Sequence, residues 1–185
     1  MNVFVLGTGR CGSTTFFRAC QHLTNFTTAH EGRAKRYVGR LNYPDRHIEV
    51  DPWLVDHLGG LKSSYPDARY VYLSRPEDEI VDSLLKRWGK SAWLRYLDGL
   101  YNPETDDERR QVCAMCVRRM TDNLRLFLGS LGADQVVEIP LHDAKRCFPS
   151  FLTWIGAEGD LAAAVAEWDK VHTPCQQVVQ VAQAL

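Results

Sequence analysis

The 185-residue chain lacks any apolar run near the roughly 20 residues that a membrane helix needs, so nothing in it reads as a membrane span. It also lacks a charge excess. Its 22 Lys and Arg stand against 23 Asp and Glu, and a net charge of −1 removes the whole-chain argument for binding nucleic acid. Cysteine is sparse: six residues make no disulfide scaffold, and a chain of this size buries enough surface to do without one. Cys113-x-x-Cys116 has metal-ligand spacing, but no second CxxC or CxxH follows, and the pair lies inside a stretch of helical periodicity. It reads as core. Internal repeats and low-complexity tracts are absent, and no charged segment followed by an apolar stretch opens the chain; Met1-Asn2 leads directly into Val3-Phe4-Val5-Leu6. The expectation is one domain over residues 1–185, in a reducing cytoplasm.

What is present is a globular composition, 45% hydrophobic and 10% aromatic, arranged as alternating strand and helix patterns. Asn2 to Leu6 is a short apolar run ending at Gly7, the pattern of a fully buried strand. Gly7 to Gly12 forms a glycine-rich turn, and Ser13 to Leu23 reads as a helix. Thr24 to Arg46 reads as a basic loop with one short helix. His47 to Val50 is a second strand, and Asp51-Pro52 starts a helix with Asp as N-cap and Pro in the first turn. Ala68 to Leu73 is the next strand, followed by a helix from Pro76 to about Trp88. Further helices are expected over Ser91 to Leu100, Asp107 to Leu131, Leu141 to Ile155 and Asp160 to Val171, with a strand at Gln135 to Ile139. Strands separated by helices predict an α/β fold: a P-loop-type parallel sheet flanked by helices in three αβα layers. Ligands of such sheets bind outside the carboxyl ends of the strands, where both the glycine turn and Ser74-Arg75 fall.

The glycine turn, Gly7-Thr8-Gly9-Arg10-Cys11-Gly12-Ser13-Thr14-Thr15, carries the chemistry. A strand that turns through glycines into a helix aims free backbone N–H groups at one spot, and the helix dipole adds partial positive charge there. Arg10 supplies a full charge, and the hydroxyls of Ser13, Thr14 and Thr15 supply donors. The Gly7-x4-Gly12 spacing matches a nucleotide-binding P-loop, but Ser13 stands where such a loop has its Lys. The strand at Ala68 to Leu73 also ends in Ser-Arg, not in a metal-holding Asp, although Glu138 at a later strand end is a carboxylate. The loop reads as built for an anion that needs no metal. Arg75 and Ser83, eight residues apart and about 12 Å apart if the segment were fully helical, form a second candidate anion grip one strand over.

Together the two segments resemble the sulfotransferases that use 3′-phosphoadenosine 5′-phosphosulfate (PAPS). The glycine turn is similar to their 5′-phosphosulfate loop, and Leu73-Ser-Arg75-Pro-x6-Ser83 is similar to their 3′-phosphate motif. Further likeness, closest to the tyrosylprotein and carbohydrate branch, lies in His30-Glu31-Gly32-Arg33, Asp51-Pro52-Trp53, Tyr65-Pro66-Asp67-Ala68-Arg69 and Phe151-Leu-Thr-Trp-Ile-Gly156. Two departures stand out. Val50 occupies the place of the family's lysine before Asp-Pro, and Arg10 stands where many members have Lys.

The resemblance implies transfer of a sulfuryl group from PAPS, leaving 3′-phosphoadenosine 5′-phosphate (PAP), to a hydroxyl or amine of a carbohydrate or small-molecule acceptor, with no metal required. It implies donor binding by Gly9, Arg10, Cys11, Gly12, Ser13, Thr14, Thr15, Arg75 and Ser83, with Arg10 also stabilising the leaving charge. Glu31 is then the base, with His30 the alternative beside it; adjacent side chains are not expected to face one site together. Residues 24–46 carry Arg33, Lys35, Arg36, Arg40 and Arg46 against two acids, a rim suited to an anionic acceptor. Trp53, Trp88, Trp93, Tyr96 and Tyr101 are candidates for an acceptor subsite or for plain core. Two other readings stay open: a P-loop kinase or NTPase, and a nucleotide-binding relative without catalysis.

Overall fold

The computed structural model describes residues 1–170. Five strands, β1 (Val3–Leu6), β2 (Thr27–His30), β3 (His47–Val50), β4 (Arg69–Ser74) and β5 (Val136–Pro140), form one sheet in the order β2-β3-β1-β4-β5. Every pairing is parallel. The helices are α1 (Ser13–Cys20), α2 (Leu58–Ser64), α3 (Glu77–Leu85), α4 (Ala92–Tyr101), α5 (Asp106–Leu128), α6 (Ala144–Ile155) and α7 (Leu161–Ala166).

Alternation along the strands builds the three layers. Val3, Val5, Val50, Val71 and Leu73 face one side and pack with Phe16 of α1, Phe148 and Phe151 of α6 and Ile80 of α3. Phe4, Leu6, Tyr70 and Tyr72 face the other and pack with Leu54, Leu61 of α2 and Leu124 of α5. Helix α5 serves both layers, Cys113, Cys116 and Val117 in the first and Met120 and Leu124 in the second. Because both faces of β1 are covered, its sequence is a continuous apolar run and not an alternating one. Cys113 and Cys116 are fully buried free thiols; among the described residues no three His, Cys, Asp or Glu side chains group as metal ligands, and no helix is long and apolar enough to cross a membrane.

Local chemistry sets the helix ends. The Asp51 carboxylate accepts the Trp53 N–H at 2.8 Å and opens a 3₁₀ turn over Pro52–His57 ahead of α2. Ser91 caps α4, and Thr105 with Glu108 forms a capping box on α5. Three expectations need correction. The basic stretch contains no helix but an edge strand, β2, whose Thr-Thr-Ala-His sequence has no apolar alternation because it lies half-exposed beside β3. Helix α3 starts at Glu77 and ends at Leu85, with Pro76 extended at ψ 137°. The helix expected up to Val171 is α7 and a 3₁₀ turn over Glu167–Asp169; Val171 itself lies outside the described residues.

The chain leaves β1 toward the β2 edge and leaves β4 toward the β5 edge. The carboxyl ends of these central neighbours therefore part, and the crevice between them is the ligand position of an open parallel sheet.

Candidate functional site

The turn after β1 takes a left-handed path through Gly9 (φ 77°), Arg10 (φ 61°) and Gly12 (φ 89°). At Gly12 a Cβ would come within 2.6 Å of Leu141 Cδ1, a contact that side chain would have to move to relieve, and the positive φ is what favours glycine there. Gly12 is the N-cap of α1 and has no side chain to spend on capping, and the first turn of α1 carries no acid. The amides of that turn, the partial positive charge of the helix end and the hydroxyl of Thr14 are thus left for an external anion, while the Ser13 hydroxyl already meets His30. Cys11 turns inward: its buried Sγ donates to the Gly9 carbonyl at 3.1 Å, and burial pushes the thiol above its ordinary range. Only its backbone N–H is left to serve a ligand.

Three guanidiniums gather at the ends of β1 and β4. Arg10 Nε donates to Ser83 Oγ at 2.9 Å, while Arg75 Nη1 donates to the Arg10 carbonyl at 3.1 Å and Arg75 Nε pairs with Glu79 at 2.8 Å. Burial, then the charges of Arg87 and Arg75, depress the pKa of Arg10. The two motifs singled out in the sequence therefore touch, in a crossed arrangement. Ser83 is held by Arg10, not by Arg75, because the extended Pro76 shifts the start of α3 and turns Arg75 back over the glycine loop.

A cavity of about 450 Å³ opens in front of the loop. Gly9, Arg10, Ser13 and Thr14 line it from β1 and α1, His30 and Glu31 from the end of β2, and Trp53, Arg87 and Trp93 from the far side. His30 and Glu31 both face it, against expectation, because Glu31 adopts φ 52° and breaks the strand alternation. The Trp53 indole donates to the Glu31 carboxylate, yet burial, and next the nearby Asp51 charge, hold that carboxyl above its usual range. His30 Nε2 and Ser13 Oγ share a hydrogen bond at 3.2 Å, and burial pulls the imidazole below its usual range against the opposing pull of Glu49. Arg75 lines a separate neighbouring cavity of about 400 Å³ with Tyr72, Arg118, Arg125, Glu138 and His142. Cys11, Gly12, Thr15 and Ser83 line neither cavity.

Behind Glu31 lies a buried polar network that sequence reasoning missed. Asp51, fully buried, takes the Arg40 guanidinium at 2.7 Å, and Arg40 also donates to Tyr43 Oη. Glu49, also fully buried, accepts the Gly32 N–H at 2.8 Å and pairs with His47 at 3.0 Å. A charged residue inside the strand His-Ile-Glu-Val was the available signal, since buried carboxylates are rare unless paired. For Arg87, which has no carboxylate partner among the described residues, the sequence carried no signal. Val50 is buried in the core and contributes nothing to the cavity.

No protein-family model and no curated protein sequence matches the chain. Solved structures do. The sulfotransferase domain from the curacin biosynthetic pathway superposes with a TM-score of 0.64 at 13% identity, over 92% of this chain and 78% of that one. The fold is that of the sulfotransferases. A sulfotransferase from Alicyclobacillus acidocaldarius gives a TM-score of 0.57 at 15% identity, over 91% of this chain and 94% of that one. Mouse sulfotransferase SULT7A1, solved in complex with PAP, gives 0.55 at 12% identity, over 91% of this chain and 62% of that one. The sulfotransferase fold thus extends over nearly the whole chain, and the crevice between β1 and β4 lies within it.

Proposed function

We propose that this chain is a PAPS-dependent sulfotransferase acting on the hydroxyl of a small acceptor. The observation that carries the reading is the junction at Arg10, whose carbonyl receives Arg75, whose guanidinium rests on Ser83, and which lines one cavity with Glu31. Three guanidiniums, an uncapped helix end and a left-handed glycine turn are the donor set that a ligand with several anionic groups requires. PAP bound to a neighbour of the same fold supports the same class of donor.

In this reading, Gly9, Gly12, Ser13, Thr14 and Thr15 offer amides and hydroxyls to the 5′-phosphosulfate, Cys11 offers its backbone N–H, and Arg75 with Ser83 addresses the 3′-phosphate. Bound PAPS supplies a sulfuryl group on a phosphate leaving group. Arg10 faces the charge that develops on the leaving oxygen, as preorganised donors do in related transfers. Glu31 takes the acceptor's proton, and His30, held against Ser13, orients the loop side of the cavity.

The test is thermal shift of the full chain with PAP, AMP, ADP and ATP, without added metal. PAP at 100 times its Kd is expected to add about 2.7 kcal/mol of stability. AMP is expected to give a clearly smaller response, and Arg75→Ala to remove the difference. Equal responses to PAP and AMP overturn the donor assignment.

A further inference from the structure

The walls of the cavity divide by chemistry. Most of its polar groups, Thr8, Arg10, Ser13, Thr14, His30 and Glu31, come from the glycine loop and the end of β2. The opposite side is built from α3, α4, α5 and the turn after β3, and there Leu84, Leu94 and Met120, all buried, stand with Trp53 and Trp93, Arg87 and Ser91 being the polar members of that wall. The two indoles meet at a centroid distance of 5.8 Å and 73°, forming a corner and not a flat shelf. A flat ring fits such a corner by stacking on one indole and meeting the edge of the other. A volume of about 450 Å³, part of it needed by the donor's sulfuryl end, encloses a small body.

We infer that the acceptor is a phenol or similar flat aromatic hydroxyl compound, seated with its ring against Trp53 and Trp93 and its hydroxyl toward Glu31; this rests on the sulfotransferase reading. A sugar presents hydroxyls on every side, and those turned toward Leu84, Leu94, Met120 and the indoles would be buried without partners. An amine is disfavoured by charge, since Arg10, Lys35 and Arg87 line the same cavity against the lone carboxylate of Glu31. The same positive field favours a phenolate, and a phenolic O–H, with a pKa near 10, yields its proton more readily than an aliphatic alcohol. In the transfer the phenol oxygen bonds to sulfur while the bond from sulfur to the phosphate oxygen breaks. The electron pair of that bond leaves on the phosphate, giving PAP, and the phenolic proton passes to Glu31.

Two measurements on the full chain test this. The first follows sulfated product from PAPS by mass spectrometry with 2-naphthol and N-acetylglucosamine as acceptors. The expected kcat/KM for 2-naphthol exceeds that for the sugar by roughly 100-fold. The second titrates 2-naphthol into the protein saturated with PAP, reading quenching of tryptophan fluorescence. Trp93→Ala is expected to weaken this binding by about tenfold, the scale of a lost aromatic contact, and Trp93→Leu serves if the alanine variant does not fold. Product from the sugar at an equal rate, no product from 2-naphthol in a protein that PAP stabilises, or unchanged naphthol binding in the Trp93 variant overturns the inference alone. Absence of any response to PAP overturns the donor reading beneath it.

Discussion

Glu31 occupies a left-handed turn that a non-glycine residue adopts at a cost, and the next residue explains how it is held there. The Gly32 N–H is fixed by the buried Glu49 carboxylate, and a side chain at Gly32 would meet Ala29 Cβ at 2.8 Å. Glu31→Gln keeps the shape and the Trp53 contact but cannot take a proton. It is expected to lower kcat by about 10²- to 10⁴-fold with the PAP-induced thermal shift unchanged. Because burial and Asp51 raise the Glu31 pKa, the acid limb of the kcat/KM profile belongs at a higher pH than an ordinary glutamate gives, with activity rising as pH rises through it. The sign for stability is opposite. A carboxyl raised on folding contributes stability below its unfolded pKa that is lost as pH climbs through the folded one, so Glu31→Gln is expected to melt higher than the parent near neutral pH. Tyr70 is a second residue-scale case. Its buried hydroxyl has no partner among the described residues, and burial pushes its pKa up to about 12. Tyr70→Phe is expected to be neutral or stabilising by up to about 2 kcal/mol in denaturant melts.

At the scale of elements, the segment between β2 and β3 is where the sequence was hardest to read. Its backbone is irregular, and what orders it is long-range: Arg40 to Asp51, the Tyr43 N–H to Tyr65 Oη, and the stack of Tyr43 on His47. None of these has a local periodicity, so a window along the chain sees only polar and basic residues. The elements of β1, α1 and β4 were legible for the converse reason: a fully buried strand writes an apolar run, and a left-handed turn writes glycines. Arg40→Ala leaves Asp51 buried and uncompensated, and is expected to cost about 3–5 kcal/mol, measurable as a lower denaturant midpoint. Loss of donor binding in that variant at temperatures where it remains folded would show that the segment does more than brace Glu31.

For the whole molecule, the alternation of strands and helices announced a parallel sheet but not its order, because nothing in a local pattern states which strand becomes the centre. The order matters for the site. With β1 between β3 and β4, the glycine loop stands beside both Asp51 at the end of β3 and Arg75 at the end of β4, and residues 65 positions apart become hydrogen-bonded neighbours. The crossing of Arg10, Ser83 and Arg75 follows from that placement, and sequence spacing alone did not give it. The same central position has a consequence for how the protein is made. Val3–Leu6 is synthesised before either of its hydrogen-bonding flanks, which wait for residues 48–50 and 69–72. The most apolar stretch of the anion-binding motif therefore emerges without neighbours and stays open to wrong association until β4, about 66 residues further along, has been synthesised, which makes β1 a place where nascent-chain protection counts.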